Sequence, residues 1–175
     1  MNAKLLVAGV GNIFFRDDGF GVEVARRLAG RELPPGAEVG DFGIRGVHLA
    51  YDVAGRYSSL VLVDALDLGE PPGTVAVLDA SEQLVPEGQV VLDGHAMSPA
   101  VVLGALARLG ARLERALVVG CQPASVGEGE GLSPPVAAAV DEAVELCLKL
   151  AAEVVGARAV TKEAGTEQQR KGDEQ

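Results

Sequence analysis

Tryptophan is absent from the 175-residue chain, aromatic residues make up only 3% of it, and histidine occurs twice. A core without large rings must be assembled from many Val, Leu and Ala side chains packed at high density. Cysteine is equally scarce. Cys121 and Cys147 lack the short spacing of a thiolate metal site, and two thiols in such a chain are more often reduced core residues than a disulfide. Basic residues number 15 against 25 acidic ones, giving a net charge of -10 and a pI near 4.6. That balance excludes attachment through a polyanion, whether a nucleic-acid backbone or an anionic membrane. No apolar run reaches membrane-spanning length and no signal-peptide pattern precedes the first strand, so the expected location is the cytoplasm. A Gly-x-Ser-x-Gly elbow is missing, and neither cysteine stands with a histidine in a nucleophile pattern, which disfavours catalysis by a serine or cysteine nucleophile.

What is present is regular. Hydrophobic residues form 48% of the chain, which marks it as globular. Leu5-Leu6-Val7-Ala8 reads as a first strand, followed by a loop and a helix over Gly19 to Ala29 with Phe20, Val24 and Leu28 buried. Ala37 to Phe42 is a short strand and Val47 to Ala54 a short helix. Leu60-Val61-Leu62-Val63 has the continuous apolar pattern of a central parallel strand, and Thr74 to Leu78 the alternation of an edge strand. A helix starts at Ser98-Pro99, a last core strand covers Leu117-Val118-Val119, and a final helix starts at Ser133-Pro134-Pro135. Strand and helix alternate throughout. The expected fold is therefore α/β: a three-layer sandwich with a mostly parallel, twisted sheet of about five strands and helices on both faces. One domain spans residues 1–155, and residues 156–175 read as a polar, disordered tail because they have nothing to bury.

The loop Gly9-Val10-Gly11-Asn12 to Asp17-Asp18-Gly19-Phe20-Gly21 leaves the carboxyl end of the first strand, where open α/β sheets bind ligands. It begins like a dinucleotide fingerprint, but the third glycine position is Phe14. Asp18 follows the first strand, Asp64 ends the strand at Leu60, and His95 lies in the loop leading to Ser98. If these strands are parallel neighbours, two carboxylates and an imidazole reach one rim of the sheet and form a site for a divalent transition metal, with positions open to water or substrate. Each residue also has an ordinary reading. Asp18 can serve as a helix N-cap, Asp64 as a turn cap with Leu66-Asp67, and His95 as a solvated loop residue. His48 falls on the outer side of its short helix.

Four motifs in order carry a resemblance: the Gly9-to-Gly21 loop, Val63-Asp64-Ala65-Leu66-Asp67 with Pro72-Gly73-Thr74, Gly94-His95-Ala96-Met97-Ser98-Pro99, and Gly120-Cys121-Gln122-Pro123. In these the chain resembles the hydrogenase maturation proteases, which trim the C-terminal extension from the large subunit of nickel-iron hydrogenases. The resemblance covers roughly Lys4 to Val155. It implies an aspartic-type endopeptidase acting on a hydrogenase large-subunit precursor after nickel insertion, with Asp18, Asp64 and His95 at the nickel-contacting positions. Nickel would arrive in the substrate, and zinc or cadmium could occupy the same donors. The implied protein is a monomer or weak homodimer with no nucleic-acid or membrane partner. Asp41-Phe42-Gly43-Ile44-Arg45-Gly46 matches the family's glycine-containing loop only in part, since Phe42 stands where a second small residue is common, and this bears on substrate preference. A non-enzymatic chaperone that binds the metallocentre precursor and releases it uses the same three residues.

Overall fold

The first apolar run forms strand β1 (Leu5–Val10), every residue of which is buried. It is flanked on both sides in a five-stranded sheet seen in a computed structural model that describes residues 4–84 and 98–172. The other strands are β2 (Ala37–Gly43), β3 (Ser59–Ala65), β4 (Val75–Asp79) and β5 (Arg115–Cys121), in the order β2-β1-β3-β5-β4. β1 runs parallel to β2 and β3, and β3 parallel to β5, while β4 pairs antiparallel at the edge. The expected mostly parallel sheet is present. The antiparallel edge follows from the short Pro-Gly connection after β3, which is too brief to carry a crossover helix back across the sheet.

The α-helices among the described residues are α1 (Phe20–Leu28), α2 (Gly46–Val53), α3 (Pro99–Arg108) and α4 (Pro134–Gly172). Strand residues alternate between two cores. Leu5, Val7, Val61, Val63, Leu117 and Val119 meet Phe20, Val24 and Leu28 of α1 and Val136, Val140 and Val144 of α4. On the opposite face Leu6, Ala8, Leu60, Leu62 and Val118 meet Leu49 and Val53 of α2 and Val102, Leu103 and Leu106 of α3. Burying one such aliphatic side chain is worth about 1.5–3 kcal/mol, so the missing tryptophan is replaced by number rather than size.

Helix α4 differs from the sequence reading. Val154 is its last buried position among the residues whose burial is described, and its backbone is helical to Gly172, where the sequence alone suggests a polar tail from residue 156. That stretch is rich in Ala, Glu, Gln, Lys and Arg, which are good helix formers, and a helix already nucleated by docking propagates readily.

The connection after β1 leads to β2 on one side, whereas the chain after β3 moves toward β5 and β4 on the other. The carboxyl ends of β1 and β3 thus flank a topological switch point, where the departing loops leave a crevice. Gly9 pairs in register with Val63, which sets the β1 loop beside Asp64.

Candidate active site

The β1 loop turns at Gly11, whose φ of +133° is a conformation that L side chains rarely adopt. A Cβ there would also collide with the Asp18 carbonyl. Gly21 answers a second constraint: it seats the first turn of α1 against the Val10 and Val63 carbonyls with no room for a side chain. These glycines serve turn and packing geometry rather than a pyrophosphate.

Asn12 organises the loop. Its side-chain Oδ1 accepts from the Phe14 N–H at 3.0 Å, and its own N–H donates to Asp18 Oδ2 at 2.8 Å. Asp18 sits in a 3₁₀ turn over Arg16–Gly19. The N-cap of α1 is Gly19 and makes no side-chain cap bond, so the capping reading of Asp18 does not hold. The carboxylate is half-buried and turned toward the loop's inner wall.

Asp64 pairs in register with Gly120 and is only 4% exposed. It is a core-depth residue of the crevice floor, not the exposed rim carboxylate that the sequence suggested. Its Oδ1 has no hydrogen-bond partner, and a Cβ built on Gly11 would lie 3.7 Å from that atom. Burial first, and the Asp18 charge second, push the Asp64 carboxyl well above the usual carboxylate range. Asp64 caps no turn. The following loop is held instead by Asp67, which accepts from the Gly69 N–H, and by Gln122, whose Oε1 accepts from the Leu68 and Glu70 N–H groups.

The structure therefore brings Asp18 and Asp64 together around Gly11. His95 lies outside the described residues; α3, which follows it in sequence, packs on the face that carries the even-numbered residues of β3. Among the described residues no group of three or more His, Cys, Asp or Glu side chains could hold a metal ion. A buried carboxylate oxygen without a proton donor, beside a second carboxylate, nevertheless fits a cation as two of its donors. His48 is exposed on α2, as expected.

Two features escaped sequence reasoning. Asp17 is not in the crevice beside Asp18. It is fully buried, accepting from the N–H groups of Ala124, Ser125 and Ser133 and from the Ser133 hydroxyl. Nothing local separates the two aspartates, because Asp17's partners lie more than a hundred residues away. The second feature is a groove of about 350 Å³ that runs from Gly11 and Asn12 past Ile13, Phe14, Phe42 and Ile44. Phe14 and Ile44 are 59% and 64% exposed. Phe42 lines this groove beneath the Arg45 guanidinium, 5.8 Å from the ring centre.

A mostly parallel sheet with helices on both faces, two carboxylates at its switch point and a groove beginning at Gly11 places the chain in the three-layer α/β class, in which ligands bind at such switch points. The hydrogenase maturation protease profile matches residues 22–150. Hydrogenase expression/formation protein HupM of Azotobacter chroococcum is 33% identical over 167 residues, covering 94% of this chain and 79% of that protein. The coenzyme F420 hydrogenase subunit delta of Methanothermobacter thermautotrophicus is 31% identical, covering 84% and 94%. Among solved structures, the hydrogenase maturating endopeptidase HybD from E. coli superposes with a TM-score of 0.71 at 30% identity, over 86% of this chain and 93% of that one. The chain belongs to the hydrogenase maturation protease family, as its motifs suggested, and is a peptidase.

Proposed function

We propose that the protein removes the C-terminal extension of a nickel-iron hydrogenase large-subunit precursor after nickel insertion, and that Asp18 and Asp64, with His95 as a third donor, contact the nickel carried by that substrate. The observation that carries this reading is the unpartnered Oδ1 of Asp64, buried beside Asp18. Leaving a buried carboxylate oxygen without a donor costs stability, and a cation delivered by the substrate would relieve that cost.

Peptide hydrolysis needs an activated water, a polarised carbonyl and a proton for the leaving amine. A substrate metal supplies Lewis acidity when bound. The chain's own part is to hold Asp18 through the Asn12 N–H, to present Asp64 in a water-poor floor where it can hold or release a proton, and to lay the peptide along the Ile13, Phe14, Phe42 and Ile44 groove. Zinc or cadmium would occupy the same donors in place of nickel. No helix among the described residues is long and apolar enough to cross a membrane, and the acidic balance agrees with a cytoplasmic protein that acts as a monomer or weak homodimer away from nucleic acid.

The test is the mass of a nickel-loaded precursor incubated with wild type, Asp18→Ala and Asp64→Asn. Wild type should remove one C-terminal peptide and the folded variants none. An unchanged mass with a stable wild-type complex would favour the chaperone reading instead. Full processing by a folded variant would remove that carboxylate from the mechanism.

A further inference from the structure

Asp17 and Asp18 are neighbours in one 3₁₀ turn and face opposite ways, one into protein and one toward the crevice. The turn is not held by its own backbone preferences. Arg16 has a φ of +47°, the left-handed region that a residue with a side chain enters only when its surroundings hold it there. What holds it is the loop between β5 and α4. The Arg16 N–H donates to the Gly129 carbonyl at 2.8 Å, the Gly129 N–H to the Phe14 carbonyl at 2.8 Å, and the Asp17 N–H to the Ser125 carbonyl at 3.0 Å. The Asp17 carboxylate closes this clamp. Oδ2 accepts from the Ala124 N–H at 2.8 Å, the Ser125 N–H at 3.0 Å and the Ser133 hydroxyl at 2.8 Å, and Oδ1 accepts from the Ser133 N–H at 2.7 Å.

Three of the four donors are backbone N–H groups, whose directions are set by the chain and which cannot swing as a lysine could. They fix the plane of the Asp17 carboxylate, and with it the rotation of the turn about its own axis. Asp18 is the next residue in that rigid turn, so this rotation decides whether its carboxylate meets the Asn12 N–H and the Asp64 side of the crevice.

We propose that Asp17 is a positioning residue for the peptide hydrolysis assigned above, acting through Asp18: it transmits the placement of the β5–α4 loop to the carboxylate that faces the substrate. This rests on the proposed role of Asp18. A misplacement of about 1 Å at a reacting group can lower a rate on the order of a hundredfold, so a clamp of this kind is a working part of the site.

The test uses the full chain carrying Asp17→Asn, which keeps the shape and the Oδ2 acceptor but places an amide opposite the Ser133 N–H. Ser133→Ala, which removes only the hydroxyl donor, gives the same reading should Asp17→Asn fail to fold. Two readouts separate positioning from plain stability. The first is the ¹H–¹⁵N resonance of the Asn12 amide in substrate-free protein, which reports its bond to Asp18. It should move toward its position in Asp18→Ala. The second is processing of nickel-loaded precursor, where kcat should fall on the order of tenfold to a hundredfold while KM changes less than about twofold. A lowered melting temperature with the Asn12 resonance and kcat at wild-type values would overturn the proposal and leave Asp17 as scaffold. Undiminished processing by Asp18→Ala would overturn the site reading instead, and the Asn12 resonance would still decide whether Asp17 sets Asp18.

Discussion

Ser133 grips Asp17 twice, donating its N–H to Oδ1 at 2.7 Å and its hydroxyl to Oδ2 at 2.8 Å, across 116 residues of sequence. The contact ties the start of α4 to the turn after β1. It also makes a buried anion depend wholly on neutral donors.

Replacing Asp17 with alanine should therefore be costly. Four donors lose their acceptor in a fully buried place, a loss of about 3 kcal/mol, or roughly 6–12 °C in melting temperature for a chain of this size. Burial alone would raise the Asp17 carboxyl, but the bonds from Ser125, Ser133 and Ala124 together outweigh it and hold the group below its ordinary range. A depressed carboxyl contributes stability that is present above its unfolded value, about 3.9, and lost as pH falls through its folded value. Urea unfolding from pH 7 to pH 3 should show the gap between wild type and Asp17→Ala narrowing below about pH 4.

Asp64 gives the opposite sign. Its carboxyl is raised by burial and by Asp18, so the stability linked to it is present below the unfolded value and lost as pH rises through the folded one. Asp64→Asn removes that penalty. At neutral pH the substrate-free variant should melt about 2–4 °C above wild type, a gain on the order of 1 kcal/mol, with the advantage vanishing near pH 4. Precursor processing should be lost in the same variant. A variant both less stable and fully active would make Asp64 a scaffold residue.

Much of this site was legible before any coordinates. The apolar run at Leu60–Val63 and the turn after Ala8 place Asp64 at the end of one strand and Asp18 in the loop after its parallel neighbour, and in the structure Asp64 lies near the end of β3 and Asp18 in the 3₁₀ turn after β1. The depth of Asp64 was not legible, because periodicity marks where a strand ends and not how far the neighbouring loops cover it. The division of labour between Asp17 and Asp18 depends on partners at Ala124, Ser125 and Ser133, contacts of a range that local patterns do not encode. Gln122 stands in the Gly120-to-Pro123 motif, but its bonds to Leu68 and Glu70 emerge only when β5 pairs with β3.

The groove makes a separate claim. Ile44 is 64% exposed, so Ile44→Ser should leave the melting temperature unchanged. If a peptide covers it on binding, the lost burial of about 1.5–3 kcal/mol should raise KM tenfold or more and leave kcat near wild type. An unaltered KM would place the peptide elsewhere.

Deletion of residues 161–175 removes helix beyond Val154, the last buried α4 position among the residues whose burial is described. The melting temperature should stay within about 2 °C, since a polar segment without apolar spacing adds nothing to the core, while the circular dichroism signal at the helical minimum falls. A larger fall in melting temperature would mean that the distal helix packs on something, a second copy of the chain being the first candidate for sedimentation analysis.

The central claim is that the crevice reads nickel in its substrate through Asp18 and Asp64, the latter with a buried oxygen that has no partner of its own. The direct measurement is the mass of nickel-loaded and nickel-free precursor after incubation with wild-type protein under the same conditions. The expected result is loss of the C-terminal peptide from the loaded precursor alone. Equal cleavage of both would contradict the account, because Asp18 and Asp64 would then be acting without the cation that their arrangement is proposed to recognise.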